Sequence, residues 1–175
     1  MKRFCLVALV TIIGAVIVAA GSANAAGEAE ATTSANANAA IIADITISKT
    51  ADMNFGDVVA GATEGTVILT AAASPTRSVT GGTELGNSTS VLSATFTVGG
   101  EGTSTYSITL PTSDVYILSG TDSMAVNTFT SDPSSTGTLS GGSQTLYVGA
   151  TLNVGASQAS GSAYTASFNV TVAYN

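Results

Sequence analysis

From Tyr164 to Asn175, apolar and polar side chains alternate without a break. Tyr164, Ala166, Phe168, Val170, Val172 and Tyr174 share one face of an extended segment, and Thr165, Ser167, Asn169, Thr171, Ala173 and Asn175 share the other. Successive side chains of a strand point to opposite sides of a sheet, so a period of two predicts a strand buried on one face. That strand is expected to run to the last residue, so that the chain ends inside its fold. The same alternation recurs upstream. Ile41, Ala43, Ile45 and Ile47 mark a strand over Ile41–Ser48, and Leu92, Ala94, Phe96 and Val98 mark another. Tyr106, Ile108 and Leu110 alternate in the same way, as do Leu146, Val148, Ala150, Leu152 and Val154 within Thr145–Val154. The run Thr66–Thr70 and the segments Val115–Leu118 and Met124–Phe129 are further strand candidates. Gly81-Gly82, Gly99-Gly100, Ser131-Asp132-Pro133 and Gly141-Gly142 supply turn signals between them. Beyond the first 25 residues no window of helical length has a 3.6 period, and no internal repeat is visible.

Many short strands separated by turns predict an all-β fold. The expected form is a single antiparallel immunoglobulin-like β-sandwich over residues 41–175, with a closed barrel as the structural alternative. Phe55 followed by Gly56 predicts a strand that enters the core and then bends where a Cβ would collide.

The N-terminal segment has a different pattern. Lys2 and Arg3 precede an uncharged, mostly apolar run from Phe4 to Ala20, and Ala23-Asn24-Ala25 follows as a small-residue A-x-A site. This predicts a secretory signal peptide over residues 1–25, cleaved after Ala25 or Ala26. An uncleaved anchor is the alternative, since about 17 apolar residues is the lower limit for a span. The cleavage site and the polar stretch after it favour removal, and hence no stable membrane insertion. Cys5 leaves with the signal, and its position inside the apolar run does not suit a lipid anchor. Residues 26–40, AGEAEATTSANANAA, carry no large apolar side chain and predict a flexible polar arm, because nothing there offsets the entropy of ordering. An arm leading into an alternating strand suits a segment that pairs with a neighbour. It equally suits the first strand of the chain's own sandwich.

Removal of the signal narrows the chemistry. The mature chain has no Cys, His or Trp, and Lys49 and Arg77 face eleven acids, a formal charge of −9. Phosphate contacts need clusters of Lys and Arg, so nucleic acid is excluded as a partner, and an anionic membrane surface is disfavoured for the same reason. Stability must come from burial and sheet hydrogen bonds without disulfides. No residue is assigned a catalytic role. Histidine is absent, and the many Ser and Thr have no base near them in sequence. Asp52, Asp57, Glu84, Glu101, Asp114, Asp122 and Asp132 read as solvated loop acids that initiate turns, and no sequence feature singles out a glycosidase pair. Zinc and copper lack their preferred ligands, and no Asp-x-Asp-x-Asp spacing marks a calcium loop, so neither a metal nor another cofactor is expected. Tyr106, Tyr116 and Tyr147 fall in strand patterns and read as core or sheet-surface aromatics rather than sugar platforms.

The stretches ITISKTADMNFGDVVAG, TGTLSGGSQTLYVGATLNVGASQASG and YTASFNVTVAYN resemble the bacterial family known as domain of unknown function 4402. The resemblance covers about Ala40 to Asn175. Members of that family look like fimbrial subunits of chaperone–usher systems, with an all-β body and a closing strand of the form Phe-x-Val-x-Val-x-Tyr-x. It implies a non-enzymatic subunit of a surface fibre, carried through the periplasm to the cell surface. Copies of itself or related subunits, a periplasmic chaperone and an outer-membrane usher are the implied partners. It further implies a donor strand at Ile41, Ala43, Ile45 and Ile47, a chaperone or groove strand at Phe168, Val170, Val172 and Tyr174, and a groove lined by Phe55. Two features depart from such pilins: no cysteine survives maturation, and Gly161 stands near the place of an upstream glycine without a fixed register. A self-complete surface, matrix or carbohydrate-binding sandwich is the alternative reading, and a carboxylate-dependent hydrolase the remaining one.

Overall fold

The computed structural model describes residues 30–88, 90–160 and 163–175. The expected signal peptide, the first four residues of the arm, and Gly161 lie outside them. The chain divides into two units, Met1–Ala39 and Ala40–Asn175. In the first, residues 30–39 are exposed and carry no strand. The second contains β1 (Thr46–Ala51), β2 (Val58–Leu69), β3 (Arg77–Leu85), β4 (Ala94–Gly99), β5 (Thr105–Thr109), β6 (Val115–Ser119), β7 (Asp122–Asp132), β8 (Thr136–Thr138), β9 (Ser143–Val154) and β10 (Thr171–Tyr174). The described residues form no helix.

β9 is the spine. Its first half, Ser143–Val148, pairs with β4, and its second half, Ala150–Val154, pairs with β2, while β7 runs along its other edge. β1 extends the sheet beyond β4, β3 beyond β2 and β6 beyond β7; every pairing is antiparallel. A second sheet has the order β10-β5-β8. The adjacencies β1-β4-β9-β7 and β5-β10 match the A-B-E-D and C-F orders of an immunoglobulin sandwich, in which strand G would lie on the far side of F. The β2–β3 hairpin, β6 and β8 are additions to that frame. No described strand occupies the G position beside β10.

The alternation along β9 builds the core. Leu146 and Val148 belong to one buried cluster with Ala94, Val98, Tyr106 and Leu139, and Ala150, Leu152 and Val154 belong to a second with Val67 and Val126. Met53 and Phe129 pack against both. Tyr106 is completely buried, and its hydroxyl donates to Gln144 Oε1 at 2.8 Å. Its ring occupies the space above its cross-strand partner Gly137, where a Cβ would lie 2.2 Å from Tyr106 Cζ. Burial raises the Tyr106 phenol above its ordinary value of 10.0. At pH above 10 the unfolded chain therefore loses this proton before the folded one, so the stability tied to the protonated phenol is fully present below about 10, without pH dependence, and is lost as pH rises from there through the folded value. A Tyr106→Phe variant should lose that alkaline slope in a pH series of denaturation curves.

Arg77 organises the turn around Phe55. Asn54 Oδ1 accepts the N–H of Gly56 at 2.8 Å, and Gly56 takes a φ of +69° that a side chain would strain. The Arg77 guanidinium then donates to the carbonyls of Phe55 (2.8 Å), Asp57 (2.9 Å) and Gly86 (3.3 Å). The bend expected at Phe55-Gly56 is thus a turn tied to the start of β3. Hydrogen bonds to a charged group are worth about 1.5–3 kcal/mol, so Arg77→Ala should destabilise the domain by roughly that amount, with Arg77→Lys recovering little because one ammonium cannot span three carbonyls. Urea unfolding of the three proteins measures this.

Several strand expectations need correction. The strand expected over Ile41–Ser48 begins at Thr46, and the one expected over Tyr164–Asn175 is hydrogen-bonded over Thr171–Tyr174, because β5 offers a ladder of five residues. Upstream of β10 the chain makes an isolated bridge from Thr165 to Leu118 of β6 and then crosses to the small sheet. Gly81-Gly82, expected as a turn, lies inside β3. There Gly81 pairs with Gly65, and a Cβ on either would strike the opposite backbone at 2.2–2.3 Å. The two strands approach closely at a bulge in β2, which requires glycine and leaves little hydrophobic pattern to read.

Candidate functional site

The free edge of β10 is built from one strand that has a partner on one side. Asn175 N–H donates to Thr105 of the β5 segment, whereas Ile108, opposite Val172, sends its N–H away from β10 to Ser135 at 2.8 Å. Alternate residues of an antiparallel ladder face the partner. Thr171, Ala173 and Asn175 therefore direct their backbone polar groups at β5, and Val172 and Tyr174 direct theirs outward. No described residue pairs with that outward edge. β1 adjoins β10 but belongs to the other sheet, so a seam without hydrogen bonds separates them.

The side chains along the seam are apolar and half-buried. Phe168, Val170, Val172 and Tyr174 keep the inward alternation and pack against the first core cluster, where Ile45 and Ile47 also lie. Phe168 meets Phe129 with ring centroids 5.0 Å apart at 44°. Of the expected donor residues, Ile47 is paired with Val98 inside β1 and Ile45 packs on the domain's own core. Ile41 is 102% exposed and Ala43 is exposed. The four residues are therefore divided: Ile45 and Ile47 pack on the domain's core, and Ile41 and Ala43 are exposed. Phe55 packs against the second core cluster, and the structure does not bring it to the seam.

One end of the seam carries a polar clasp. The Tyr174 hydroxyl accepts the N–H of Glu101 at 2.6 Å and donates to the carbonyl of Ala43 at 2.9 Å. Glu101 Oε2 accepts the N–H of Ala43 at 3.1 Å. Gly100 makes room for the hydroxyl, since a Cβ there would lie 2.3 Å from it. Sequence reasoning missed this arrangement. Glu101 reads as a turn acid beside a glycine pair, and the signal available was the coincidence of that pair with a lone aromatic at the close of the last strand.

The rest of the surface offers little chemistry. Asp52, Asp57, Glu84, Glu101, Asp114, Asp122 and Asp132 are all exposed, and the described residues hold no group of three metal-ligating side chains. Two open depressions, of about 510 Å³ beside Ile108, Pro111 and Phe129 and about 450 Å³ beside Glu64, Gly81 and Asn153, contain no pair of carboxylates. Tyr116 is exposed on β6, Tyr147 is half-buried and Tyr106 lies in the core. No helix among the described residues is long and apolar enough to cross a membrane.

The family model for the domain of unknown function DUF4402 matches residues 45–174. No curated protein and no solved structure matches the chain.

Proposed function

The chain belongs to the DUF4402 family, and from that premise we propose that it is a non-enzymatic structural subunit of a bacterial surface fibre, assembled by strand addition at the free edge of β10. The observation that carries this reading is the outward-facing backbone of Val172 and Tyr174, at the position where an immunoglobulin sandwich has its strand G. Unpaired edges with an apolar floor are templates for an added strand: main-chain hydrogen bonds give affinity and alternate side chains give register. On this reading the subunit is exported, meets a periplasmic chaperone and an outer-membrane usher in transit, and functions outside the cell.

We assign the donor segment upstream of the expected one. Ile45 and Ile47 are committed to their own domain, so the segment left to donate lies upstream. There Ala35, Ala37, Ala39, Ile41 and Ala43 alternate with Ser34, Asn36, Asn38, Ala40 and Ile42, a row of mostly small apolar side chains with a largely polar reverse face. A synthetic peptide of residues 31–43, added in excess, should cap the edge and stop fibre growth as seen by electron microscopy. The same peptide with Ala37 and Ile41 replaced by Asp should have no effect. Full-length mature protein that stays monomeric at high concentration and binds no peptide would refute the proposal. The self-contained surface module would then be favoured, on the packing of Ile45 and Ile47 against their own core.

A further inference from the structure

We infer that Glu101 and Tyr174 form a latch that ties the chain to its own domain just before β1 until assembly, by gripping the backbone of Ala43 at both of its polar groups. Ala43 is outside any strand and its residue is exposed, yet its N–H is bound by Glu101 Oε2 at 3.1 Å and its carbonyl by the Tyr174 hydroxyl at 2.9 Å. The two gripping groups are themselves joined, because Glu101 N–H donates to the same hydroxyl at 2.6 Å. Side chains thus supply for one residue what a neighbouring strand would supply for several. Immediately upstream, Ile41 and Ile42 are exposed. Downstream, Ile45 packs on the core and β1 begins at Thr46. The grip falls within the second unit, three residues before β1 begins.

The contacts reach main-chain atoms, so they do not depend on the side chain at position 43 and can be released without unpacking the core. Glu101 is an exposed turn residue, and its carboxylate can exchange Ala43 for water. The Tyr174 ring packs against the first core cluster, a contact that does not involve its hydroxyl's partners. The role in assembly rests on the strand-addition reading above. Ala43 is the last residue of the proposed donor row, so a full donor strand becomes available when the latch opens.

The test uses the full mature protein and two variants. Glu101→Ala removes the acceptor of the Ala43 N–H from an exposed site, and Tyr174→Phe removes the hydroxyl while keeping the ring. Amide exchange in the monomer reads the latch directly. In the wild type Ala43 should exchange slowly relative to Ile41, and in Glu101→Ala it should exchange about tenfold faster. In Tyr174→Phe the Glu101 amide should be released by a similar factor. Assembly followed by light scattering should be several-fold faster in both variants. An Ala43 amide that exchanges like that of Ile41 in the wild type would exclude the latch. Released amides with unchanged assembly rates would leave strand addition standing and remove the gating role. Released amides with no assembly in any of the three proteins would instead refute the strand-addition reading, and gating with it. Should Tyr174→Phe fold poorly, the exposed Glu101→Ala substitution decides the matter.

Discussion

Val172→Pro is expected to abolish self-assembly while leaving the monomer folded, and Ala173→Pro, one residue away, to damage the monomer itself. The difference lies in where each N–H points. Val172 stands opposite Ile108 in a pair whose backbone groups face away from each other, so proline there removes a donor from the free edge and none from the β5 ladder. Proline is tolerated on an edge strand when the lost N–H faces outward, and its ring retains apolar contact with the core. Ala173 stands opposite Ser107 and faces β5. Losing that donor leaves an unmatched carbonyl at about 1–3 kcal/mol, before any clash of the ring with the neighbouring strand. Sedimentation velocity separates monomer from assembly, and urea denaturation gives the stability of each variant. Equal effects of the two substitutions on assembly and stability would mean that the outer edge of β10 has no role of its own.

Gly149→Val should bring the domain to the edge of unfolding at ordinary temperatures. Gly149 is buried between the last β9 residue paired with β4, Val148, and the first paired with β2, Ala150. At this junction the backbone leaving β2 passes directly over it. A Cβ on Gly149 would lie 2.3 Å from the carbonyl oxygen of Leu69, 2.6 Å from the carbonyl carbon of Thr70 and 2.7 Å from the nitrogen of Ala71. All three are main-chain atoms, so no rotamer change relieves the contact. Overpacking of a core costs about 1–3 kcal/mol, and a backbone collision exceeds that range. Against a total stability of about 5–15 kcal/mol, a valine should bring the chain to the edge of unfolding, and even Gly149→Ala should lower the urea midpoint clearly.

The strands that could be read from the sequence are those in which one face is buried along most of their length. β9 and β4 keep strict alternation because their inward residues fill the two core clusters, and β5 is legible through Tyr106 and Ile108. β3 was illegible for the opposite reason. Val79 and Leu85 are exposed on its edge, and Gly81-Gly82 answers a steric demand from β2 rather than a turn. In β10 the alternation correctly told which side chains face inward, from Phe168 to Tyr174, but not how many residues are hydrogen-bonded, because ladder length is set by β5. The same limit applies to the site. An open edge is a property of backbone groups and of which strand lies alongside, and side-chain pattern carries no record of either. The clasp on Ala43 was hidden likewise, since Glu101 and Tyr174 are 73 residues apart and each alone reads as an ordinary loop acid and a core aromatic.

Amide hydrogen exchange at Val172 and Tyr174, compared between monomer and assembled protein, tests the strand-addition account most directly. The account predicts fast exchange of both amides in the monomer, where they face outward, beside slow exchange at Ala173, which faces β5. In the assembled protein both should become strongly protected as an added strand accepts their hydrogen bonds. Val172 and Tyr174 amides already protected in the monomer, or still exchanging freely in intact fibres, would contradict it.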